Sequence, residues 1–297
     1  MHRIIWLFYL PKRIIYGIIE KNNCERVFSM DRYYADQHFH TSFSGDSDTP
    51  PEEQAQRAIS LGMTEICVTD HHDYDMVSDV DFNLDFDAYY AKMSELKEKY
   101  SGIIDISIGV ELGLQLHIAD YLDELVKKYD WLDFIIGSHH VIDGIDPYFP
   151  EFFEKHGADS YERYFKVTLE RIKRIKCYDS LGHLDYIVRY GQKHGLSYSY
   201  RKYSDYIDEI LRVLVSDGKA LECNSGAFSR GMDEPNPNTD VLRRFKELGG
   251  ELITLGSDAH TPETLGDRFD YCGELLKNCG FKYYAVYKKR KPEMRLL

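Results

Sequence analysis

The sequence predicts an α/β fold in which a parallel sheet closes, or nearly closes, into a TIM-like barrel. Two observations lead to this fold class. First, seven apolar, β-branched segments alternate with seven amphipathic segments of helical period. Second, each apolar segment ends in His, Asp or Glu. Apolar strands that alternate with helices are typical of a parallel sheet whose outer face is covered. Seven such units favour a barrel over an open sheet.

The strand-like segments are residues 33–40, 65–72, 104–113, 133–142, 178–187, 220–226 and 251–260. The helical segments are residues 51–61, 86–99, 117–129, 159–176, 202–217, 238–248 and 262–278. Proline in the first turn, with acids beside it, marks two helix starts, in TPPEEQ (49–54) and TPETLG (261–266). Because no internal repeat or long linker indicates a second domain, we predict one domain over residues 30–297.

The composition excludes some classes of partner. A chain of 297 residues with 43% hydrophobic content can bury a large single core. The formal net charge of −13 opposes non-specific binding to nucleic acid or to an anionic membrane, since both need positive patches. The six cysteines contain no CxxC pair and resemble no disulfide framework, which favours a reducing cytoplasm.

The first 29 residues differ from the rest of the chain. The apolar stretch IIWLFYL is interrupted by PKR before IIYGII follows, so it is too short and broken to span a bilayer. It also lacks the uninterrupted core and cleavage site of a signal peptide. We predict that residues 1–29 are a dispensable N-terminal extension, with Met30 as an alternative start. A weak membrane-surface anchor is the alternative.

Ligand-type side chains gather at the C-terminal ends of the predicted strands. In a parallel barrel these ends form the mouth, where active sites are built. His38 and His40 are two residues apart and therefore point to one face of a strand, and Asp258 and His260 repeat that spacing. The residues at the seven ends are His38 and His40, His71 and His72, Glu111, His139 and His140, His183, Glu222 and Asn224, and Asp258 and His260. Because solvated charges would instead be spread over helices, the pattern indicates a metal-binding mouth.

Nine side chains are candidate metal ligands: His38, His40, Asp46, His71, Glu111, His140, His183, Asp258 and His260. One zinc or manganese ion takes four to six ligands, so nine ligands indicate two to three divalent ions. All donors are nitrogen or oxygen, which fits Zn²⁺, Mn²⁺ or Fe²⁺. Asp36, Asp70 and Asp185 stand beside these residues and are predicted to fix histidine tautomers. Three other histidines are interpreted as surface or core residues: His117, His156 and His194.

Six motifs carry a resemblance to a known family. They are DQHFHTSFSGDS (36–47), VTDHHD (68–73), GVELG (109–113), GSHH (137–140), GHLD (182–185) and GSDAH (256–260). In this order they resemble the motifs of the PHP (polymerase and histidinol phosphatase) superfamily. The size, the TDHHD context and the ending YYAVYKKRKP most resemble its histidinol-phosphate phosphatase branch. The resemblance implies a distorted (β/α)7 barrel with a trinuclear metal site at its mouth.

The resemblance also implies how the ligands are shared. His38, His40, Glu111 and Asp258 would hold one ion, and Glu111 would bridge it to a second ion. The ligands implied for the second ion are His140 and His183, and those for the third are Asp46, His71 and His260. The family usually has one histidine where this chain has His139 and His140; the glycine-serine frame favours His140. His72 is also extra and is predicted to lie behind the ligands or at the rim.

Metal ions lower the pKa of bound water, and a pair of ions can hold a bridging hydroxide as the nucleophile for phosphoryl transfer. The side chains that would hold this hydroxide are Glu111, His38, His40, Asp258, His140 and His183. Arg189 and Arg230 follow two strand ends and could clamp phosphate oxygens with their planar guanidinium groups, although each could instead pair with a surface acid.

These features predict a metal-dependent phosphomonoesterase acting on a small phosphate ester. The resemblance favours histidinol phosphatase, which acts in histidine biosynthesis. The alternatives are another PHP phosphoesterase, for sugar or nucleotide phosphates or phosphotyrosine, and a PHP exonuclease or a non-catalytic module associated with a polymerase. Acids and aromatics near the strand ends could recognise the imidazole and amine of the substrate, and the candidates are Asp73, Asp75, Asp143, Asp185, Glu222, Phe43, Tyr74 and Tyr148.

Overall fold

The structure is a computed structural model that describes residues 34–297. The predicted extension, residues 1–29, lies outside the described residues, and its role stays a prediction. Within residues 34–297 the strands are β1 (Glu65–Val68), β2 (His71–His72), β3 (Asp105–Gly113), β4 (Phe134–Ser138), β5 (Ser180–Leu181), β6 (Ala220–Asn224), β7 (Ile253–Gly256), β8 (Tyr283–Lys288) and β9 (Lys291–Leu296). The α-helices in the same part are α1 (Pro51–Ser60), α2 (Phe86–Lys99), α3 (Ala119–Lys128), α4 (Pro150–His156), α5 (Ser160–Arg174), α6 (Val188–Gly191), α7 (Ser204–Asp217), α8 (Gly226–Ser229), α9 (Thr239–Glu247) and α10 (Phe269–Asn278).

The main sheet is parallel and closes on itself. Its order is β1-β3-β4-β5-β6-β7, with β2 beside β3. The segment 36–40 joins the two edge strands, because the Cys67 amide donates to the Asp36 carbonyl (2.9 Å) and the Gln37 amide donates to the Leu255 carbonyl (2.9 Å). The predicted seven-stranded α/β barrel is therefore confirmed, although its first strand is reduced to isolated bridges at Asp36 and Phe39. Short strands such as β5 make the barrel distorted.

The hairpin of β8 and β9 closes the N-terminal end of the barrel, which we call the floor. This hairpin is not among the elements predicted from the sequence. The Tyr287 ring stacks on the Phe134 ring with 4.8 Å between centroids. Tyr287 and Ala285 pack there against Cys67, Phe134 and Ala220, in a buried cluster separate from the main core.

Most predicted helices are found within a few residues of their expected ends. The exception is the last one, predicted over residues 262–278, in which α10 begins only at Phe269. Gly266 and Arg268 have φ values of 66° and 61°, which interrupt a right-handed helix. In residues 34–297 no helix combines the length and the apolar character needed to cross a bilayer. The five cysteines of this part are free thiols.

Candidate metal centre

The centre of the mouth is the carboxylate of Glu111, which is fully buried near the end of β3. Five imidazole nitrogens surround it. They are His38 Nε2 (3.1 Å), His40 Nε2 (3.5 Å) and His71 Nδ1 (3.0 Å) around Oε2, and His140 Nε2 (3.2 Å) and His183 Nε2 (2.9 Å) around Oε1. Glu111 thus lies between all the predicted groups of ligands.

The backbone explains why these side chains meet. His71 lies on β2 directly opposite Glu111 in the parallel register. His38 and His40 lie in the extended segment 36–40, so both imidazoles point into the mouth, with 3.2 Å between their Nε2 atoms. The Asp258 amide, just after β7, donates to the His38 carbonyl (2.7 Å). Ring closure of the sheet therefore brings the first and last ligands of the chain together.

The first predicted group is His38, His40, Glu111 and Asp258. Asp258 Oδ1 lies 3.4 Å from His40 Nε2 and 4.0 Å from His38 Nε2. In the second predicted group, His140 and His183 share Oε1 of Glu111, and their ring centroids are 5.3 Å apart. The structure brings the members of each of these two groups together, and their assignment to separate ions stays a prediction.

The third predicted group is Asp46, His71 and His260, at the outer edge of the mouth. Asp46 Oδ2 lies 3.0 Å from His260 Nε2 and 3.7 Å from His71 Nε2. The His260 ring also lies over the His40 ring, with 4.3 Å between centroids. Because His71 has Glu111 near its other nitrogen, it connects this group to the centre.

Three histidines have their tautomers fixed by acceptors that lie on the side of the ring away from the mouth and bond to Nδ1. His38 Nδ1 donates to Glu222 Oε1 (2.6 Å), and His140 Nδ1 donates to Asp73 Oδ1 (2.9 Å). His260 Nδ1 donates to the Asp258 carbonyl (3.0 Å). When these rings are neutral, as metal binding requires, the proton held on Nδ1 leaves Nε2 of each ring as the atom directed at the mouth.

His40 is fixed through a chain of two hydrogen bonds. Its Nδ1 donates to Ser44 Oγ (3.1 Å), and the Ser44 hydroxyl donates to Asp70 Oδ1 (2.8 Å). Burial lowers the pKa of His40 to about 3, so its imidazole is neutral. The neutral form is the one that binds a metal ion.

The predicted tautomer partners Asp36, Asp70 and Asp185 need correction, because none of them touches an imidazole nitrogen. Asp36 accepts from the backbone amides of His38 (3.2 Å) and Ser257 (3.1 Å) and so holds the ring closure together. Asp70 acts through Ser44. Asp185 accepts from the Asn236 amide group (2.7 Å).

Asp73 and Glu222 were two of the candidates for substrate recognition near the strand ends, and the structure places both behind histidines. Asp73 is 3% exposed and Glu222 1%, and each orients a histidine. Glu222 Oε2 also accepts from the His183 amide (2.7 Å). Glycines that lie against these two acids are the sequence feature that could have indicated their buried positions. A Cβ on Gly113 would lie 2.0 Å from Asp73 Oδ1, and one on Gly256 would lie 2.3 Å from Glu222 Oε1.

The arrangement fits divalent cations. The Nε2 atoms of His38 and His40 lie 3.2 Å apart, and both lie within 3.5 Å of the Glu111 carboxylate, so a divalent cation could bind all three groups. Glu111 Oε2 is buried and accepts no hydrogen bond within the described part of the chain. Burial alone would raise the pKa of Glu111, but His38 and His71 hold it well below its usual value. Nitrogen and oxygen donors at these spacings suit zinc, manganese or iron.

The two adjacent histidines of the GSHH motif have different surroundings. His140 Nε2 faces Glu111, whereas both ring nitrogens of the buried His139 lack a hydrogen-bond partner in the described chain. Burial alone would lower the pKa of His140, but Asp73 and Glu111 raise it to about 10. His72 bonds the Tyr121 hydroxyl (2.9 Å) and accepts from the Leu84 amide (3.1 Å), so it anchors the loop after β2.

Arg189 and Arg230 both line the cavity at the mouth, which has a volume of about 550 Å³. Arg189 is buried, and it contacts Asp258 Oδ2 (2.9 Å), Asn224 Oδ1 (3.0 Å) and Asn236 Oδ1 (2.7 Å). Arg230 is more exposed; it donates to the Gly226 carbonyl (2.9 Å) and lies 3.6 Å from Asp258 Oδ2. Arg189 therefore also positions Asp258, while Arg230 is freer to meet an anion.

Known proteins resemble this chain over most of its length. The family model of the PHP domain matches residues 36–226, more than half of the chain. The chain belongs to the PHP family. Among its PHP relatives, the histidinol-phosphatase of Lactococcus lactis subsp. lactis (strain IL1403) is 33% identical over 261 residues, which cover 86% of this chain and 95% of the relative. A probable histidinol-phosphatase of Clostridium acetobutylicum is 32% identical over 251 residues, covering 83% and 94%.

A solved PHP structure agrees with the barrel. Histidinol phosphate phosphatase from Lactococcus lactis subsp. lactis Il1403, crystallised with zinc, L-histidinol and phosphate, superimposes with a TM-score of 0.79. The match has 31% sequence identity and covers 88% of this chain and 99% of that protein. This PHP chain therefore has relatives of the same fold and nearly the same length.

Proposed function

We propose that this protein is a metal-dependent phosphomonoesterase that hydrolyses L-histidinol phosphate to L-histidinol and phosphate. The observation that carries the proposal is the mouth itself, where five imidazole nitrogens surround the buried Glu111 carboxylate. The names of the relatives, and the L-histidinol and phosphate bound to the solved neighbour, support the choice of substrate. The free cysteines fit a cytoplasmic enzyme.

We assign two to three divalent ions, of zinc, manganese or iron, to the nine predicted ligands. His38, His40, Glu111 and Asp258 would hold one ion, and His140 and His183 a second that shares Glu111. Asp46, His71 and His260 would hold a third. His38, His40 and Asp258 bring their ligand atoms within 4.8 Å of one another, which supports the first group. His40, His71 and His260 do the same across the first and third groups, which supports a cluster of neighbouring ions.

When bound, such ions would lower the pKa of water, bind phosphate oxygens and spread the charge of the transition state. The chain's own residues prepare the site for this chemistry. Glu111 fixes the spacing between the groups, and Glu222 and Asp73 keep His38 and His140 in the ligand tautomer. Arg230, at the edge of the cavity, is placed to bind a phosphate oxygen, and Arg189 can share that anion while it holds Asp258.

The test is a comparison of kcat/KM across phosphate esters. The panel contains L-histidinol phosphate, p-nitrophenyl phosphate, phosphotyrosine, simple sugar and nucleoside phosphates, and short oligonucleotides. We expect an advantage for L-histidinol phosphate of at least roughly a hundredfold, about 2.7 kcal/mol. A clear preference for phosphotyrosine or a nucleotide would leave the metal chemistry standing and overturn the substrate. Cleavage of oligonucleotides in preference to monoesters would instead favour the exonuclease alternative.

A further inference from the structure

One carboxylate that lines the cavity of the mouth forms no ion pair within residues 34–297. Asp146 lies in the loop between β4 and α4, is 9% exposed and lines the cavity. Its Oδ1 accepts from the Tyr148 amide (2.8 Å) and from the Tyr186 hydroxyl (3.1 Å). Within residues 34–297 no lysine, arginine or histidine forms an ion pair with it. A buried carboxylate without a cation is costly, so its retention calls for an explanation.

The other carboxylates that line this cavity are already engaged or exposed. Asp46 and Asp73 lie against imidazoles, and Asp258 lies against Arg189. Asp79 is exposed on the loop after β2. Among the acids that line the cavity, Asp146 is thus the buried one whose carboxylate is not paired with a histidine or an arginine of the described chain, so it is available to a ligand.

Tyr186 sets the position of Asp146 relative to the candidate metal ligands. Its ring lies 5.4 Å from the His140 ring and 5.3 Å from the His183 ring, measured between centroids. Its hydroxyl reaches Asp146 at the other end. The Tyr186 side chain therefore spans the distance between Asp146 and the candidate ligand histidines. A small substrate whose phosphate is bound near those histidines could also contact Asp146.

Aromatic side chains surround the space next to Asp146. Tyr148 is 62% exposed, Phe149 is 37% exposed, and both line the cavity together with Tyr190. The Tyr148 and Tyr190 rings meet edge to face, with 5.7 Å between centroids. Exposed aromatic faces beside a carboxylate suit a ligand that carries a positive nitrogen and a flat ring.

We propose that Asp146 binds the protonated amine of the substrate, so that the site selects phosphomonoesters carrying a cationic nitrogen. This inference rests on the proposed function and adds the residue that distinguishes the substrate from other phosphate esters. Burial raises the pKa of Asp146 to about 6, and a bound ammonium group would favour the ionised form.

The test is a cycle of two enzymes and two substrates. The enzymes are the parent and Asp146→Asn, which keeps an oxygen for Tyr148 and Tyr186. The substrates are L-histidinol phosphate and its deaminated analogue, 3-(imidazol-4-yl)propyl phosphate. For L-histidinol phosphate we expect Asp146→Asn to lower kcat/KM at least roughly tenfold, as for loss of a charge-assisted hydrogen bond. For the analogue, and for p-nitrophenyl phosphate, we expect less than about a twofold change.

Asp79→Asn is the matched control, because Asp79 lines the same cavity but is exposed, and we expect it to keep the parent's preference. Asp146→Ser, a second neutral variant, guards against a folding defect in the first. Equal losses on all three esters in both Asp146 variants, or parent-like discrimination in either, would overturn the inference. A loss of kcat/KM in Asp79→Asn that is confined to L-histidinol phosphate would also overturn the inference. A parent enzyme that does not prefer L-histidinol phosphate to p-nitrophenyl phosphate would overturn the proposed function itself, and the inference with it.

Discussion

The two ends of the barrel are built from the same strands but differ in how their polar groups are paired. At the floor, polar groups find partners within the protein: Arg295 donates twice to Glu65 (2.6 and 2.9 Å), and Arg290 pairs with Asp179. At the mouth, five imidazole nitrogens crowd within 3.5 Å of the buried Glu111 carboxylate. The floor is complete as a protein structure, whereas the mouth gathers groups that a divalent cation could bind together.

Strand β4 shows the contrast over five residues. Phe134, at its start, stacks on Tyr287 of the hairpin. Ser138, at its end, donates to Glu111 Oε1 (2.6 Å). A substitution at Phe134 should therefore lower the stability of the fold. A substitution of Glu111, which Ser138 contacts, should alter metal binding and turnover.

The largest effect should come from Glu111→Gln at the mouth. The amide cannot bridge two groups of ligands, so bound metal should fall and kcat/KM should drop by more than about a hundredfold. The measurement is metal content together with hydrolysis of L-histidinol phosphate. Thermal unfolding of the variant should stay cooperative, which separates this loss from misfolding. Parent-like activity would remove Glu111 from the centre of the site.

Tyr287→Ala should produce the largest effect at the floor. Removing a buried ring stacked on Phe134 should lower the free energy of unfolding by about 3 kcal/mol. Urea unfolding at fixed metal concentration measures this. Tyr287→Phe keeps the stack and should lose less than about 1 kcal/mol. If Tyr287→Ala instead lowered kcat of the folded enzyme with stability unchanged, the division between the two ends would be wrong.

Glu222→Gln and Asp73→Asn should have intermediate effects. Each replaces the charged acceptor that fixes a ligand tautomer with a neutral amide, and such partners are worth roughly 10–100-fold in metal affinity or activity. The measurement is metal affinity by competition with a chelator. Asp143→Asn, near the mouth but paired with Arg163, is the control and should leave the affinity unchanged. Equal effects in all three variants would show that tautomer control is not the cause.

Arg230→Ala should have the smallest effect on the metal centre, because Arg230 is not a candidate ligand. It should keep the metal and weaken inhibition by inorganic phosphate by about 1.5–3 kcal/mol, and Arg230→Lys should recover only part of that, since a point charge cannot grip two oxygens. Unchanged inhibition by phosphate would move the anion contact to Arg189 or to the metal ions alone.

The parallel barrel and the gathering of the nine candidate ligands at its mouth could be predicted because both depend on local patterns. Two-residue spacing puts His38 and His40 on one face wherever the strand lies, and parallel strands end at one edge. The roles of Asp73 and Glu222 could not be predicted in the same way. Each depends on a partner far away in the chain, 67 residues for Asp73 with His140 and 184 for Glu222 with His38.

The floor hairpin could not be predicted because its turn lacks the usual residues. Lys289 and Arg290 have φ values of 49° and 63°, a conformation that hairpin turns usually fill with Asn or Gly. Tertiary contacts hold it: Asp133 accepts from the Lys289 amide (3.0 Å), and the Arg290 side chain reaches Asp179 and the Cys177 carbonyl (3.0 Å). Tertiary contacts have overridden the local preference there.

The central claim is that the mouth works only when divalent cations separate its ligands. The most direct measurement is a titration of the chelated protein with Mn²⁺ or Zn²⁺, in which bound ions per chain and hydrolysis of L-histidinol phosphate are recorded together. We predict no turnover in the chelated protein and full turnover at about two to three ions per chain. Full turnover after chelation, with the metal shown to be absent, would contradict the account.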